Sequence, residues 1–329
     1  MKKKVIVIGA GTAGLAAGIR LQTLGYDVHI YEKNEQVGGR MYQIKDRGFT
    51  FDVGPTIVMM PDLYKEVFLD SGADPNDYLD MTLLDPLYTV YFGDRTKLDV
   101  SSNLTSLIKS LEDFSEADAE GYLAYLADVY KRYHVAKKHF LDISYRKPTE
   151  FYNIRSFIAL AKLKTLNSAY QSISKFVKHE KLRKALSFQT LYIGVSPFSG
   201  PSIYTIIPMI ELLYGVWYIK GGMYQMAKAM ERRFIELGGT MHLNQNVERV
   251  AIEHGVAKGV IVKGNTVDAD IVLTNADFPW AVKNLIQEKK AKGKYQDKKI
   301  DSMKYASSAF ILYFGMKKKY KTHVHAIRF

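Results

Sequence analysis

Val5-Ile6-Val7-Ile8-Gly9-Ala10-Gly11-Thr12-Ala13-Gly14 is the stretch that decides the fold of this 329-residue chain. Four consecutive β-branched residues predict a short strand buried on both faces, as parallel sheets require. The strand runs straight into glycines spaced G-x-G-x-x-G, and Leu15 to Gln22 continues with helical periodicity. Gly25-Tyr26-Asp27 turns the chain, and Val28-His29-Ile30-Tyr31 predicts a second strand ending at Glu32. Strand, glycine turn, helix, strand and acid in this order form the dinucleotide-binding fingerprint. Gly9 permits the tight turn, Gly11 lets the backbone approach a pyrophosphate, and Gly14 lets helix and strand pack closely. The helix N-terminus offers amides and a positive dipole to phosphates. Glu32 is placed to accept hydrogen bonds from ribose hydroxyls. The fingerprint alone does not separate NAD from FAD.

Composition narrows the remaining classes. The chain contains no cysteine, which excludes disulfides, a thiolate nucleophile, Cys-ligated metal and a Cys-linked flavin. No run of about 18 apolar residues occurs, so no spanning helix is expected. Lys2, Lys3 and Lys4 before an apolar run have the outline of a secretion signal. Glycines 9, 11 and 14 interrupt that run, and a cytoplasmic location is expected. The net charge of +12 is unevenly placed. Residues 121–190 hold 14 Lys and Arg against 4 Asp and Glu, and residues 281–329 hold 13 against 3. In the first block the charges alternate with aromatic and aliphatic residues, as in Tyr130-Lys131-Arg132-Tyr133, Tyr145-Arg146, Phe157-Ile158 and Phe176-Val177-Lys178. This pattern suits an anionic lipid interface, and equally a solvated helical face with an ordinary core side. No nucleic-acid partner is expected, because no recognised binding module accompanies the basic residues.

Past the acid the sequence reads Glu32-Lys33-Asn34 and then Val37-Gly38-Gly39-Arg40. A second glycine pair followed by arginine resembles the signature of the amine-oxidase and carotenoid-desaturase flavoproteins. The resemblance sharpens at Gly48-Phe49-Thr50-Phe51-Asp52-Val53-Gly54-Pro55-Thr56, which is similar to the stretch lining the flavin ring in carotenoid desaturases. Further matches are Phe188 to Gly194, Gly200-Pro201-Ser202, Ile206 to Glu211, Lys220 to Tyr224 and Ser308-Ala309-Phe310. Together they cover essentially the whole chain and resemble the bacterial dehydrosqualene (4,4′-diapophytoene) desaturases. The resemblance implies FAD as cofactor, with Gly9, Ala10, Gly11, Ala13, Gly14, Glu32, Lys33, Gly39, Arg40, Gly54, Pro55 and Thr56 around it and the Val247 backbone at the adenine. Thr274-Asn275-Ala276-Asp277 matches the family's strand-end element. It also implies that members continue beyond the equivalent of Phe329, so that this chain reads as a truncated desaturase.

The expected fold class is α/β: a Rossmann-like FAD-binding domain of the amine-oxidase and phytoene-desaturase type with an inserted, largely helical substrate domain. Its segments are residues 1–100 and 219–285 for the FAD domain, and 101–218 and 286–329 for the substrate domain. A helix is expected over Tyr224 to Leu237, a strand near Val247, hairpin strands at Val256–Val262 and Val267–Leu273, and a strand at Phe310–Met316. By resemblance the activity is desaturation of a lipophilic polyene, dehydrosqualene, by hydride transfer to flavin, on the inner face of the cell membrane. The alternatives are a carotenoid terminal-methyl oxidase, an amine oxidase, and a non-catalytic FAD-binding fragment. No compact acid–base constellation is legible, and no catalytic residue is assigned. His134, His139 and His179 read as packing or surface residues. His323-Val324-His325 lacks a nearby carboxylate or cysteine pair, so no metal is expected.

Overall fold

A computed structural model describes residues 2–328 except 142, 144, 146, 164–166, 306–307, 309 and 319–325. Arg146, Ala309, His323 and His325 therefore lie outside the described residues. The chain divides into two units, Met1–Thr82 with Trp217–Lys304, and Leu83–Val216 with Tyr305–Phe329.

The first unit is built on a parallel sheet. Strand β1 (Lys4–Ile8) pairs in register with β2 (Asp27–Tyr31), and helix α1 (Thr12–Thr23) connects them. A hairpin of β3 (Tyr42–Asp46) and β4 (Phe49–Val53) and helix α2 (Pro61–Leu69) follow. The chain returns to this unit through helix α3 (Tyr224–Glu236) and strand β5 (Thr240–His242). An antiparallel sheet comes next, made of β6 (Val247–Glu253), β7 (Val256–Val262) and β8 (Asn265–Asp268). Strand β9 (Ile271–Thr274) then pairs parallel with β1, and helices α4 (Phe278–Asn284) and α5 (Asp297–Asp301) follow. The parallel sheet has the order β5-β2-β1-β9. Val5, Val7, Val28 and Ile30 pack under Leu15, Ile19 and Phe234 on one face, while Ile6 and Ile8 face Val247, Val260 and Val262 on the other. Burial on both faces is the reason β1 is apolar at four successive positions.

The expected strand at Val267–Leu273 is divided. Its first part closes the antiparallel sheet, and Ile271–Thr274 crosses to the parallel one. Asp270 makes the transfer: its backbone N–H donates to the Lys4 carbonyl at 2.9 Å, and its carboxyl oxygen accepts the Lys4 N–H at 2.7 Å. Residues 83–100 group with the second unit, because Tyr88–Tyr91 and Lys97–Val100 form its antiparallel pair. Residues 286–304 stay with the first, where Lys283 bonds Asp301 at 2.7 Å and ties α5 to α4.

The second unit is largely helical. Its longest helix, Glu116–Ala136, starts at Ser115, whose hydroxyl accepts the Asp118 N–H at 3.2 Å. The buried Asp118 carboxyl accepts the backbone N–H groups of Lys178 and His179 at 2.6 and 2.7 Å, joining two distant segments. Gly121 has no room for a side chain, since a Cβ would stand 2.1 Å from the Phe176 carbonyl oxygen. Residues 310–316, expected as a strand, lie outside any ladder and are exposed; Phe310 is 90% exposed. Among the described residues no helix is long and apolar enough to cross a membrane.

A polar cluster centred on a carboxyl group is enclosed in this helical core. Glu211, on the helix Ile206–Tyr214, is 1% exposed, and its Oε2 accepts the Gln189 amide N–H at 3.3 Å. The same Gln189 nitrogen donates to the Tyr88 hydroxyl at 2.7 Å. Glu211 Oε1 and Gln189 Oε1 have no hydrogen-bond partner among the described residues. Burial pushes the Glu211 carboxyl up from 4.5 to about 7. Burial and the adjacent carboxyl also raise the hydroxyls of Tyr88 and Tyr192. The folded state thus binds a proton more tightly than the unfolded chain. Stability from this group is greatest below the unfolded value and falls as pH rises through about 7. We expect E211Q to flatten the pH dependence of urea unfolding between pH 5 and 8 and to be more stable than wild type at pH 8, by on the order of 1–3 kcal/mol. Parallel pH profiles for the two proteins would contradict this.

Candidate functional site

The parallel strands of the first unit end at one cleft of about 790 Å³. The order of strands reverses on the two sides of β1, and a crevice at the carboxyl ends of strands beside such a reversal is where open α/β sheets bind ligands. One wall is the glycine turn. Gly9 donates its N–H to the Tyr31 carbonyl at 2.8 Å, which ties the turn to the end of β2. A Cβ on Gly14 would stand 2.2 Å from the Gly9 carbonyl oxygen, so the turn closes only over glycine. Gly11 caps α1 without a side-chain bond, and the first turn carries no acidic residue. No side chain caps the amides of this turn, and a helix N-terminus left so is suited to an anion.

The floor is Glu32, 5% exposed. Its Oε2 accepts the Ala10 N–H at 2.8 Å and its Oε1 accepts the Asn34 N–H at 2.9 Å. The first role of this acid is therefore to fasten the glycine turn to the segment after β2. Each oxygen keeps further acceptor capacity, and the side chain lines the cleft. The second glycine pair lies against the first. Gly38 donates to the Ala10 carbonyl at 2.8 Å and bridges Gly11, and a Cβ at Gly38 would meet the Met41 carbonyl oxygen at 2.0 Å. Arg40 follows at the mouth, its side chain 90% exposed and its Nη2 3.0 Å from Asp277 Oδ2.

Of the residues singled out in the sequence, Gly9, Gly11, Ala13, Glu32, Lys33, Gly39, Arg40, Pro55 and Val247 line the cleft. Ala10 lies buried behind it, and Gly14 faces the turn's own carbonyl. Gly54 backs onto the Arg40 carbonyl, where a Cβ would stand at 2.1 Å, and Thr56 is exposed without lining the cleft. Asp52 anchors its hairpin: Oδ1 accepts from Gln43 Nε2 at 2.9 Å, and Oδ2 fills the space a side chain on Gly222 would need. The cleft also takes in Tyr64, Met223, Asn246, Asn275 and Trp280. Asn275 belongs to the strand-end element already noted in the sequence, where no contact with the glycine turn was assigned to it; the others are brought in by segments distant in sequence. Tyr31 forms part of the wall and stacks on His242 with ring centroids 4.3 Å apart.

Of the histidines noted in the sequence, His134 packs edge-on to Tyr130 at 4.4 Å and His179 edge-on to Phe114 at 5.5 Å. Among the described residues no group of three or more His, Asp or Glu is placed to hold a metal ion. The polar cluster of Glu211, Gln189 and Tyr88 was not legible in the sequence as a constellation, although Glu211 stands out in the apolar run around it.

Comparison with known proteins agrees with this geometry. Residues 12–321 match the family described as flavin containing amine oxidoreductase. A 4,4′-diapophytoene desaturase (4,4′-diaponeurosporene-forming) of Staphylococcus haemolyticus is 47% identical over 329 residues, covering 99% of this chain and 66% of that protein. Its namesake in Staphylococcus aureus is 45% identical over 315 residues, covering 95% and 63%. The chain therefore spans just under two thirds of the length of these relatives. Among solved structures, an oxidoreductase from Methanosarcina mazei superposes with a TM-score of 0.62 at 19% identity, over 91% of this chain and 65% of that one, and so shares the fold. With the family profile matched over nearly its whole length, the chain belongs to the flavin-containing amine oxidoreductases.

Proposed function

We propose that this chain is the FAD-binding and substrate-covering part of a carotenoid desaturase that introduces double bonds into dehydrosqualene. The observation that carries the reading is the cleft itself, a glycine turn, an open helix N-terminus and a buried acid at the ends of parallel strands, in a chain 47% identical to a diapophytoene desaturase. The residues fit a flavin dinucleotide. The amides at the start of α1 and the Arg40 guanidinium would hold the diphosphate, Glu32 the ribose next to it, and the Val247 backbone the adenine. When bound, the flavin supplies the hydride acceptor for removing two hydrogens from adjacent carbons. The chain's own contribution is to orient the cofactor and to exclude water. The parallel sheet with its glycine turn is, in this reading, the Rossmann-like half of the site.

A membrane surface is the proposed source of so apolar a substrate. The helix Ile154–Lys162 supports this by its inverted amphipathicity. Ser156, Ala159 and the following Leu163 are buried, while Ile154, Phe157 and Ile158 are 80%, 63% and 54% exposed. Tyr152, 69% exposed, precedes this face, and Arg155 and Lys162 flank it with positive charge. Large apolar residues turned to solvent beside cations match the requirements of a headgroup interface.

Two measurements test these proposals. The purified chain is incubated with FAD and dehydrosqualene in liposomes and the lipids are extracted. Yellow conjugated polyenes are the expected product. An aldehyde would favour the terminal-methyl oxidase, peroxide formed from amines would favour amine oxidation, and bound flavin without product would favour a binding fragment. In co-sedimentation with anionic vesicles, binding is expected to weaken with salt and to fall about tenfold or more in F157S/I158S, which removes two exposed apolar side chains. Equal sedimentation of this variant and wild type would contradict the helix as the contact.

A further inference from the structure

Strand β9 ends at Thr274, and the turn that follows it carries Asn275-Ala276-Asp277. Its position is fixed by the sheet, since the Asn275 N–H donates to the Ile8 carbonyl at the end of β1 at 2.8 Å. That bond sets the Asn275 side chain against the glycine turn. Its Nδ2 lies 2.8 Å from where a Cβ on Gly11 would stand and 3.0 Å from one on Gly14. The small residues at 11 and 14 thus make room for this amide as well as for a ligand. The amide lines the cleft and makes no hydrogen bond among the described residues. A side-chain donor held beside the first turn of α1, with no acceptor of its own, is suited to an anion bound at that turn.

Asp277, two residues on, reaches the opposite wall. Its Oδ2 lies 3.0 Å from Arg40 Nη2, and this ion pair spans the mouth between the β2–β3 segment and the start of α4. An acid at this place would repel a diphosphate if it stood alone. Paired with Arg40 it is neutralised, and the guanidinium keeps further N–H groups for a phosphate oxygen. A flexible, 90% exposed arginine gains most from such a restraint, because it would otherwise lose its rotamer freedom on binding.

We propose that the β9–α4 turn is a second diphosphate-recognition element of the cleft, in which Asn275 donates its side-chain amide to the diphosphate and Asp277 is a positioning residue that holds Arg40 over the mouth. This rests on the dinucleotide reading of the cleft. ADP, the anionic part of the cofactor, and uncharged adenosine separate diphosphate contacts from adenosine contacts. Binding of each to the full chain is measured by calorimetry for wild type, N275A, N275D, D277N, R40M and R40M/D277N, with a thermal melt confirming that each variant is folded. N275D keeps the side chain's shape and removes the donor. It is expected to weaken ADP by about tenfold or more, N275A by less, and both to leave adenosine unchanged. D277N is expected to weaken ADP about threefold or more in wild type and to have no further effect in R40M. Wild-type affinity for ADP in N275A and N275D, or equal losses of ADP and adenosine, would overturn the role of Asn275. An undiminished effect of D277N in R40M, or tighter ADP binding by D277N, would overturn that of Asp277. Failure of wild type to bind either probe would overturn the dinucleotide reading, and this inference with it.

Discussion

The site depends on one buried carboxyl group. Glu32 accepts one backbone N–H from the glycine turn, at Ala10, and another from the segment after β2, at Asn34. An acid that is 5% exposed is costly to bury without such partners, and two amides supply them. The same two bonds fix the separation between the turn and the strand end, and so define the cleft between them. The second glycine pair then closes against the first through Gly38 and Ala10. The cleft is thus a consequence of satisfying backbone groups at the ends of parallel strands.

Much of this was legible because it is local. The run Val5–Ile8, the glycine spacing, the following helical pattern and Glu32 lie within one β–α–β unit, where each rule concerns neighbours in sequence. The observed elements Lys4–Ile8, Thr12–Thr23 and Asp27–Tyr31 lie within one residue of the expected ones at the strands and extend the helix at both ends. Helix α3 ends at Glu236, one residue before the expected end, because Gly238 and Gly239 turn the chain back onto Ile235 and Phe234.

What could not be read is what depends on long-range pairing. Ile271–Thr274 has the composition of a hairpin strand, and only its partner β1 shows that it belongs to the parallel sheet. Tyr88–Tyr91 and Lys97–Val100 fall inside the segment expected for the nucleotide domain, yet they pair with each other inside the second unit. Asn275 reaches the glycine turn from more than 250 residues away in sequence. Glu211 was visible as a charge in an apolar run, but its meaning comes from Gln189 and Tyr88, which three separate segments bring together.

In the proposed function the cleft at the strand ends holds the ADP half of a flavin dinucleotide. The deciding measurement is a crystal structure of the chain soaked with ADP. The diphosphate is expected against the first turn of α1, the ribose at Glu32 and the adenine beside the Val247 backbone. A cleft that stays empty at saturating ADP, or a nucleotide bound elsewhere on the chain, would contradict it.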